Sequence, residues 1–406
     1  MAVTTADRDI AGASGAAEEV RQRVADLLSR CDPASATAEA FLGARFDAGL
    51  AWVHFPPGEG GLGLPSQLQS VVERELAAAG APPPPVSRAV IGLGMGAPTI
   101  VTHGTPEQRQ RYLRPLYTGE EIWCQLFSEP GAGSDLAALS TRAVRDGDEW
   151  VVNGQKVWTT LAHIARWGLL VARTDPDVPK HRGLTYFICD MTAPGVDVRP
   201  LRQLTGEAEF NEVYLTDVRL GDDLRLGDVG DGWRVSMTTL MNERVAIGAS
   251  GPPRRGSGAI GHAVRLYQER QPGPVARDRL LRLWVDAEVA RLTNRRASDM
   301  RRVGTPGPEG SVAKLSFAEL NQRITELCID MMGPEGALYP VGYAMHSPGE
   351  AAIASGDLRR FFLRARANSI EGGTSEVLRN IVAERVLGLP GDPRVDKELP
   401  WRDVPR

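Results

Sequence analysis

Apolar side chains along this 406-residue chain change their spacing twice, and few folds accommodate such a switch. Up to about residue 122 they recur every three or four positions, the helical spacing, in residues 17–29, 65–79 and 106–116. Thr105-Pro106-Glu107-Gln108 opens the last of these: Thr caps, Pro takes the first turn, and Gln can reach back to the cap. From about Ile122 the spacing drops to two, with strand-like runs at 139–145, 149–152, 156–159, 167–173, 184–189, 196–200 and 212–220. Asp146-Gly147 and Asn153-Gly154 stand between alternating runs, and both predict hairpins because these residues tolerate positive φ. After Gly230-Asp231-Gly232 the helical spacing returns in 233–248, 259–271, 274–303, 311–332, 357–367 and 375–386. Helices of these lengths bury their apolar stripes against one another as a bundle. The chain therefore reads as an α+β multidomain protein. An N-terminal helical domain over 1–121 precedes a middle antiparallel β domain over 122–229 and a C-terminal helical bundle over 230–388. Residues 389–406, rich in Pro and charge, are expected to run extended over a surface.

Composition narrows the function. Forty-seven basic and 51 acidic residues leave a formal net charge of −4, too small for the general basic field that nucleic-acid binding uses. No apolar run approaches the roughly 20 residues needed to span a bilayer, and residues 1–12 lack a secretory signal pattern. Cys31, Cys124, Cys189 and Cys328 lie far apart with no C-x-x-C, and the six histidines form no H-E-x-x-H. We expect reduced thiols, a cytoplasmic protein, and no metal site.

Gly92-Leu93-Gly94-Met95-Gly96-Ala97 matches a dinucleotide fingerprint, yet Pro98 follows at once and no long helix follows. That motif needs a preceding strand and a following helix aimed at a pyrophosphate, so packing of small residues is the better reading. A more informative stretch is Gln125-Leu126-Phe127-Ser128-Glu129-Pro130-Gly131-Ala132-Gly133-Ser134-Asp135. Two glycines there let backbone N–H groups approach a ligand, and Ser128 and Ser134 add hydroxyl donors. Asn153-Gly154-Gln155-Lys156-Val157-Trp158-Thr159-Thr160 adds an aromatic face suited to a planar ring.

With these two stretches, Glu59-Gly60-Gly61-Leu62-Gly63 and Ile370-Glu371-Gly372-Gly373-Thr374-Ser375-Glu376, the chain resembles the acyl-CoA dehydrogenase family over nearly its whole length. The resemblance implies a helical domain, a β domain and a C-terminal four-helix bundle. It also implies FAD as cofactor and oxidation of an acyl-CoA thioester to the trans-2-enoyl-CoA, as in lipid metabolism and fatty acid β-oxidation. Electron-transferring flavoprotein would be the acceptor, in a homo- or hetero-oligomer, dimer or tetramer. By position, Gln125, Phe127, Ser128, Gly133 and Ser134 would line the flavin, with Ser134 also near CoA. Trp158 and Thr160 would sit beside the isoalloxazine ring. Arg270 would meet the FAD pyrophosphate of a neighbouring subunit, Thr374 and Glu376 would make further FAD contacts, and Arg244 would hold the CoA end.

Family members place the proton-abstracting Glu at one of two positions. One aligns here with Gly372, which cannot serve. The other immediately precedes the CoA-binding arginine and is Glu243. Leu240, Glu243 and Ile247 share one helical stripe, which puts the carboxylate between apolar neighbours. We read Glu243 as the base, with Glu371 as the reserve.

Some positions depart from the family pattern. Its Arg-x-Thr-Phe-Gly stretch reads Arg270-Gln271-Pro272-Gly273 here, and a Gln that usually meets the adenine end is Asp330. Gly333-Pro334 replaces a Gly-Gly, Arg166 replaces an Asp, and Gly251-Pro252-Pro253 predicts a helix break. These changes favour one alternative, a subunit of a heteromeric dehydrogenase with an incomplete site; a second, a flavin oxidase or monooxygenase on the same scaffold, stays open because fold alone does not decide chemistry.

Overall fold

In a computed structural model of the chain, the described residues are 5–248, 254–302, 309–338, 345–349, 357–391, 393 and 396–405. The N-terminal part is helical: α1 (Thr5–Arg30), α2 (Ala38–Asp47), α3 (Gln69–Ala78), α4 (Val86–Ile91), α5 (Ala97–His103) and α6 (Pro106–Thr118). The predicted capping box opens α6, with Thr105 accepting from the Gln108 N–H and Gln108 accepting from the Thr105 N–H. Spacing did not predict α2, α4 or α5; the last two are single or double turns, too short for a stripe to show. The false fingerprint is one wide helical turn, Gly92–Gly96, leading straight into α5. A Cβ on Gly92 would lie 3.1 Å from Leu116 Cγ, so this glycine lets α6 approach. It cradles no phosphate.

Eight strands follow: β1 (Trp123–Leu126), β2 (Arg142–Asp146), β3 (Glu149–Thr160), β4 (Trp167–Arg173), β5 (Leu184–Asp190), β6 (Val196–Pro200), β7 (Phe210–Gly221) and β8 (Arg225–Leu226). They form one sheet in the order β6-β7-β3-β2-β4-β5-β8, with β1 on β4. Most pairs are antiparallel as expected, but β1 runs parallel to β4. The long excursion through β2 and β3 supplies the crossover that a parallel pair needs.

Asp146-Gly147 makes the predicted hairpin between β2 and β3, with Gly147 at φ 65°. Asn153-Gly154 does not. Here β3 runs on unbroken, and its register against β7 shifts between Val152 and Gly154. Asn153 Nδ2 donates to Asp217 Oδ1 at 2.9 Å, and the Asp217 N–H returns a bond to Asn153 Oδ1 at 3.0 Å. A Cβ on Gly154 would stand 2.3 Å from Thr141 Oγ1, so only glycine fits there. Residues that signal a turn are used to build a bulge.

Alternation along β4 feeds two cores. Leu169 and Val171 join Leu113, Leu116, Trp123 and Tyr186 beneath the N-terminal helices, while Leu170 and Ala172 join Trp150, Phe187, Leu215 and Val218. Fully burying one such side chain stabilises by about 1.5–3 kcal/mol, which makes β4, buried at all seven positions, the spine of the molecule.

The bundle comprises α7 (Gly232–Gly248), α8 (Ala259–Arg270), α9 (Pro274–Arg302), α10 (Glu309–Met332), α11 (Leu358–Ala365) and α12 (Ser375–Arg385). α10 is its axis, packing on α8, α9, α11 and α12 around Leu266, Leu283, Ile324, Leu327 and Cys328. The predicted break at Gly251-Pro252-Pro253 lies outside the described residues. Beyond the bundle, the expected extended course gives way to a short turn, Trp401–Asp403, that docks on the β domain. Trp401 supplies the reason: its indole finds a carbonyl and a guanidinium there. Among the described residues, no helix is long and apolar enough to cross a membrane, and no cluster could hold a metal ion.

Candidate active site

The loop after β1 is built around one buried ion pair. Glu129 Oε1 lies 2.9 Å from Lys156 Nζ, and neither side chain reaches solvent appreciably. Lys156 also donates to the Phe127 carbonyl at 3.0 Å, while Glu129 accepts from the N–H groups of Ser140 and Thr141 and from Ser140 Oγ. Burial alone would raise the Glu129 carboxyl. The Lys156 charge and the hydrogen bonds from Thr141 and Ser140 outweigh it and hold the group at about 2. For Lys156 the balance differs: burial outweighs Glu129 and lowers the ammonium below its ordinary value. Glu129 Oε1 and Lys156 Nζ thus serve as each other's counter-charge inside the β domain.

This pair pins the loop at both ends. Between them, Glu129 and Ala132 exchange backbone bonds of 3.0 and 3.1 Å, which throws Pro130 and Gly131 outward. A Cβ on Gly131 or Gly133 would meet nothing within 4 Å, so open space lies over both. Ser134 is exposed, and Gln125 and Ser128 are half-buried. Phe127 turns its ring into the core, edge-on to Tyr186 at 5.9 Å, and leaves only its backbone to the loop.

Trp158 sits on the adjacent strand at φ 61° and is 57% exposed. Positive φ is costly for a bulky residue, and the register shift between Lys156 and Thr159 shows that the strand is bent here to turn the indole outward. Phe210 supports it edge-on at 5.9 Å. Thr160, half-buried, lies two residues further on. An uncovered indole beside an open glycine turn with serine hydroxyls fits a planar ring with a polar edge, as FAD requires.

The bundle contributes a second cluster. Arg364 stands 5.6 Å from the Phe210 ring and pairs with Glu209 Oε1 at 3.1 Å. It also grips Glu371 with both amine groups, at 3.0 and 2.9 Å, and Asn368 Nδ2 donates to the same carboxylate at 2.8 Å. Next to it, Lys314 Nζ donates to the Gly373 carbonyl at 2.6 Å. Burial lowers the Lys314 ammonium against the opposing fields of Glu371, Glu243 and Glu376, so one lysine lies within electrostatic reach of both candidate bases. Glu243 is half-buried on α7, behind partly buried Leu240. Arg244 follows it on the helix; its side chain, and that of Ile247, lie outside the described residues.

Thr374 caps α12, accepting from the Val377 N–H at 3.2 Å, and exposed Glu376 occupies the first turn. Arg270 stands apart from both clusters. It ends α8, which packs on α9 and α10, and it pairs with Glu335 at 2.5 Å. Asp330, at the position of the missing Gln, pairs with Arg279 at 2.8 Å. Sequence reading overlooked Glu129, Lys156, Lys314, Arg364 and the Glu207–Arg360 pair. The two charges inside quoted motifs, Glu129 and Lys156, were visible; an apolar neighbourhood around each was the available signal.

Family models described as acyl-CoA dehydrogenase N-terminal, middle and C-terminal domains match residues 11–120, 124–218 and 230–387. Acyl-CoA dehydrogenase FadE34 of Mycobacterium tuberculosis is 40% identical over 94% of this chain, and the chain spans 50% of that protein's length. Acyl-CoA dehydrogenase IpdE1 of the same organism is 39% identical, over 84% of this chain and 86% of its own. Among solved structures, a chain of the ChsE4-ChsE5 complex from Mycobacterium tuberculosis has a TM-score of 0.67 at 28% identity, covering 97% of this chain and 100% of that one. A chain of the Tcur3481-Tcur3483 steroid ACAD has a TM-score of 0.68 at 26% identity, covering 93% and 98%. With all three domains matched in order and a relative of 39% identity covered over most of its length, the chain belongs to the acyl-CoA dehydrogenase family, whose members are FAD-dependent flavoproteins.

Proposed function

We propose that this chain carries out the α,β-dehydrogenation of an acyl-CoA thioester to the trans-2-enoyl-CoA, with Glu243 as the general base. The observation that carries the reading is the indole of Trp158, held outward at positive φ beside the open turn at Gly131 and Gly133. Gln125, Ser128, Gly133, Ser134, Trp158 and Thr160 would hold FAD, with the Phe127 backbone, and Thr374 and Glu376 would meet it from the bundle. When bound, FAD supplies the acceptor for the hydride that leaves Cβ.

Glu243 removes the α-proton. A base for so weak an acid works best when partly desolvated, and its half-buried place on α7 supports that role. Glu371 is the reserve, with Arg364 and Asn368 engaging its oxygens. Ser134 and Arg244 would orient the CoA portion, with electron-transferring flavoprotein as the external acceptor.

Glu243→Gln keeps the shape and removes the base. Purified wild type should be yellow and bleach anaerobically with some acyl-CoA from a panel of straight-chain, branched and sterol side-chain thioesters. Glu243→Gln should bind FAD equally but bleach about 10²–10⁴-fold more slowly. Normal turnover by the variant would move the base elsewhere, and wild type that takes up no FAD would overturn the reading.

Two observations favour a second reading, in which the chain works in a mixed oligomer. Arg270 and Asp330, at the expected intersubunit FAD contact, are paired within the chain. Leu281, Val285, Val289 and Leu292 form a stripe along α9, each more than half exposed, the kind of patch that marks an interface. Co-purification with a related chain, and FAD only in the mixture, would select this reading.

A further inference from the structure

Residues 396–403 touch both the exit of the loop that carries Ser134 and the separate segment 176–180. Lys180 is the junction. Its ammonium donates to Asp135 Oδ2 at 2.7 Å and to Asp396 Oδ2 at 2.6 Å, with the side chain largely buried. Asp135 is the residue after Ser134 and ends the motif read as a flavin and CoA contact. A second junction is Arg173, which crosses the ring of Trp401 at 4.5 Å. The same guanidinium donates to the carbonyls of Ala137 at 2.6 Å, Leu139 at 3.2 Å and Lys180 at 3.0 Å.

Trp401 closes the arrangement. Its indole N–H donates to the Ala138 carbonyl at 3.1 Å, and its backbone N–H donates to the Val178 carbonyl at 2.9 Å. Arg402 adds an ion pair with Asp177 at 2.7 Å, and Pro400 bridges Pro179. Residues 135–139 and 176–180 are thus both tied to one stretch more than 200 positions further along the chain. Neither has regular structure to hold it otherwise, apart from the short turn Leu136–Ala138.

We propose that residues 396–403 are a clamp that fixes the Ser134 loop in its ligand-ready position, with Asp396 and Trp401 as positioning residues acting through Lys180 and Arg173. The proposal rests on the reading of Ser134 as a contact to bound CoA. With the clamp in place, the exit of the loop has one position, and the Ser134 hydroxyl meets an incoming thioester without an ordering cost. With the clamp released, Asp135 loses one of the two charges that orient its partner, and the 137–139 carbonyls lose the indole donor. Binding then includes the cost of ordering the loop, while the carboxylate on α7 is untouched.

Hydrogen exchange over residues 128–140 reads the clamp in the absence of any ligand, and calorimetry with free coenzyme A reads its consequence. In the full-length protein, Asp396→Asn and Trp401→Ala should each speed exchange in that stretch and weaken coenzyme A about fivefold. Trp401→Phe, which keeps a ring under Arg173, should restore most of both. Unchanged exchange in Asp396→Asn and Trp401→Ala would overturn the clamp. Faster exchange with unchanged coenzyme A affinity would overturn its role in binding. Wild type that takes up neither coenzyme A nor FAD would count against the dehydrogenase reading, and the exchange measurement would still decide the clamp.

Discussion

The two walls of the candidate site are built in opposite ways. On the β side, Lys156 and Glu129 are buried, mutually paired, and bonded to four further backbone or hydroxyl groups. The loop they hold has its conformation before any ligand arrives. On the bundle side, Glu243, Lys314, Glu371 and Thr374 are only half-buried, and Arg364 and Asn368 hold Glu371 where water can still reach it. The contrast separates two tasks. Binding a planar cofactor rewards a rigid platform, whereas moving a proton favours a partly desolvated carboxylate.

Disrupting the rigid wall should have the largest effect on stability. Lys156→Met leaves a buried carboxylate with no cation, at a cost of about 3–5 kcal/mol, measurable by urea unfolding and by loss of FAD on gel filtration. A smaller loss is expected at the seam between the walls. Arg360 holds Glu207 through bonds of 2.7 and 2.5 Å, both residues being buried, and joins α11 to the loop before β7. Arg360→Met should cost about 2–4 kcal/mol and also loosen the neighbouring Arg364–Glu209 contact; an equal midpoint in denaturant would show that the seam is not structural.

Strong acid should weaken the β wall. Glu129 is held at about 2, below its unfolded value near 4.5, so the folded state binds fewer protons and the stabilisation is complete only above the unfolded value. As pH falls from about 4.5 towards 2 that contribution drains away. FAD retention should fall across this window in wild type and be flatter in Glu129→Gln, whose carboxamide does not titrate there. The smallest change in fold is expected for Val285→Glu with Val289→Glu on α9. Unfolding should be nearly unaffected, because both side chains are already exposed, while light scattering should report a smaller assembly. An unchanged mass would remove the stripe as an interface.

Much of the architecture was legible in the residues. The long bundle helices, the Thr105–Gln108 box and the Asp146-Gly147 hairpin all follow from spacing or from a cap within four residues. Asn153-Gly154 misled because the same tolerance for unusual backbone serves a turn or a bulge, and Asp217 on another strand decides between them. The hold of Arg364, seven residues earlier, on both oxygens of Glu371 is likewise a property of the packed helix and not of the motif. Trp401 offered no signal at all, since its partners Ala138 and Arg173 are more than 200 residues away.

Sequence alone therefore determined the order of helical, sheet and helical regions. Period and turn chemistry are short-range properties, readable over a few residues. Only the tertiary structure decided which charges neutralise one another and where residues 396–403 settle. Those outcomes depend on which surfaces lose water together, and that is a property of the packed molecule.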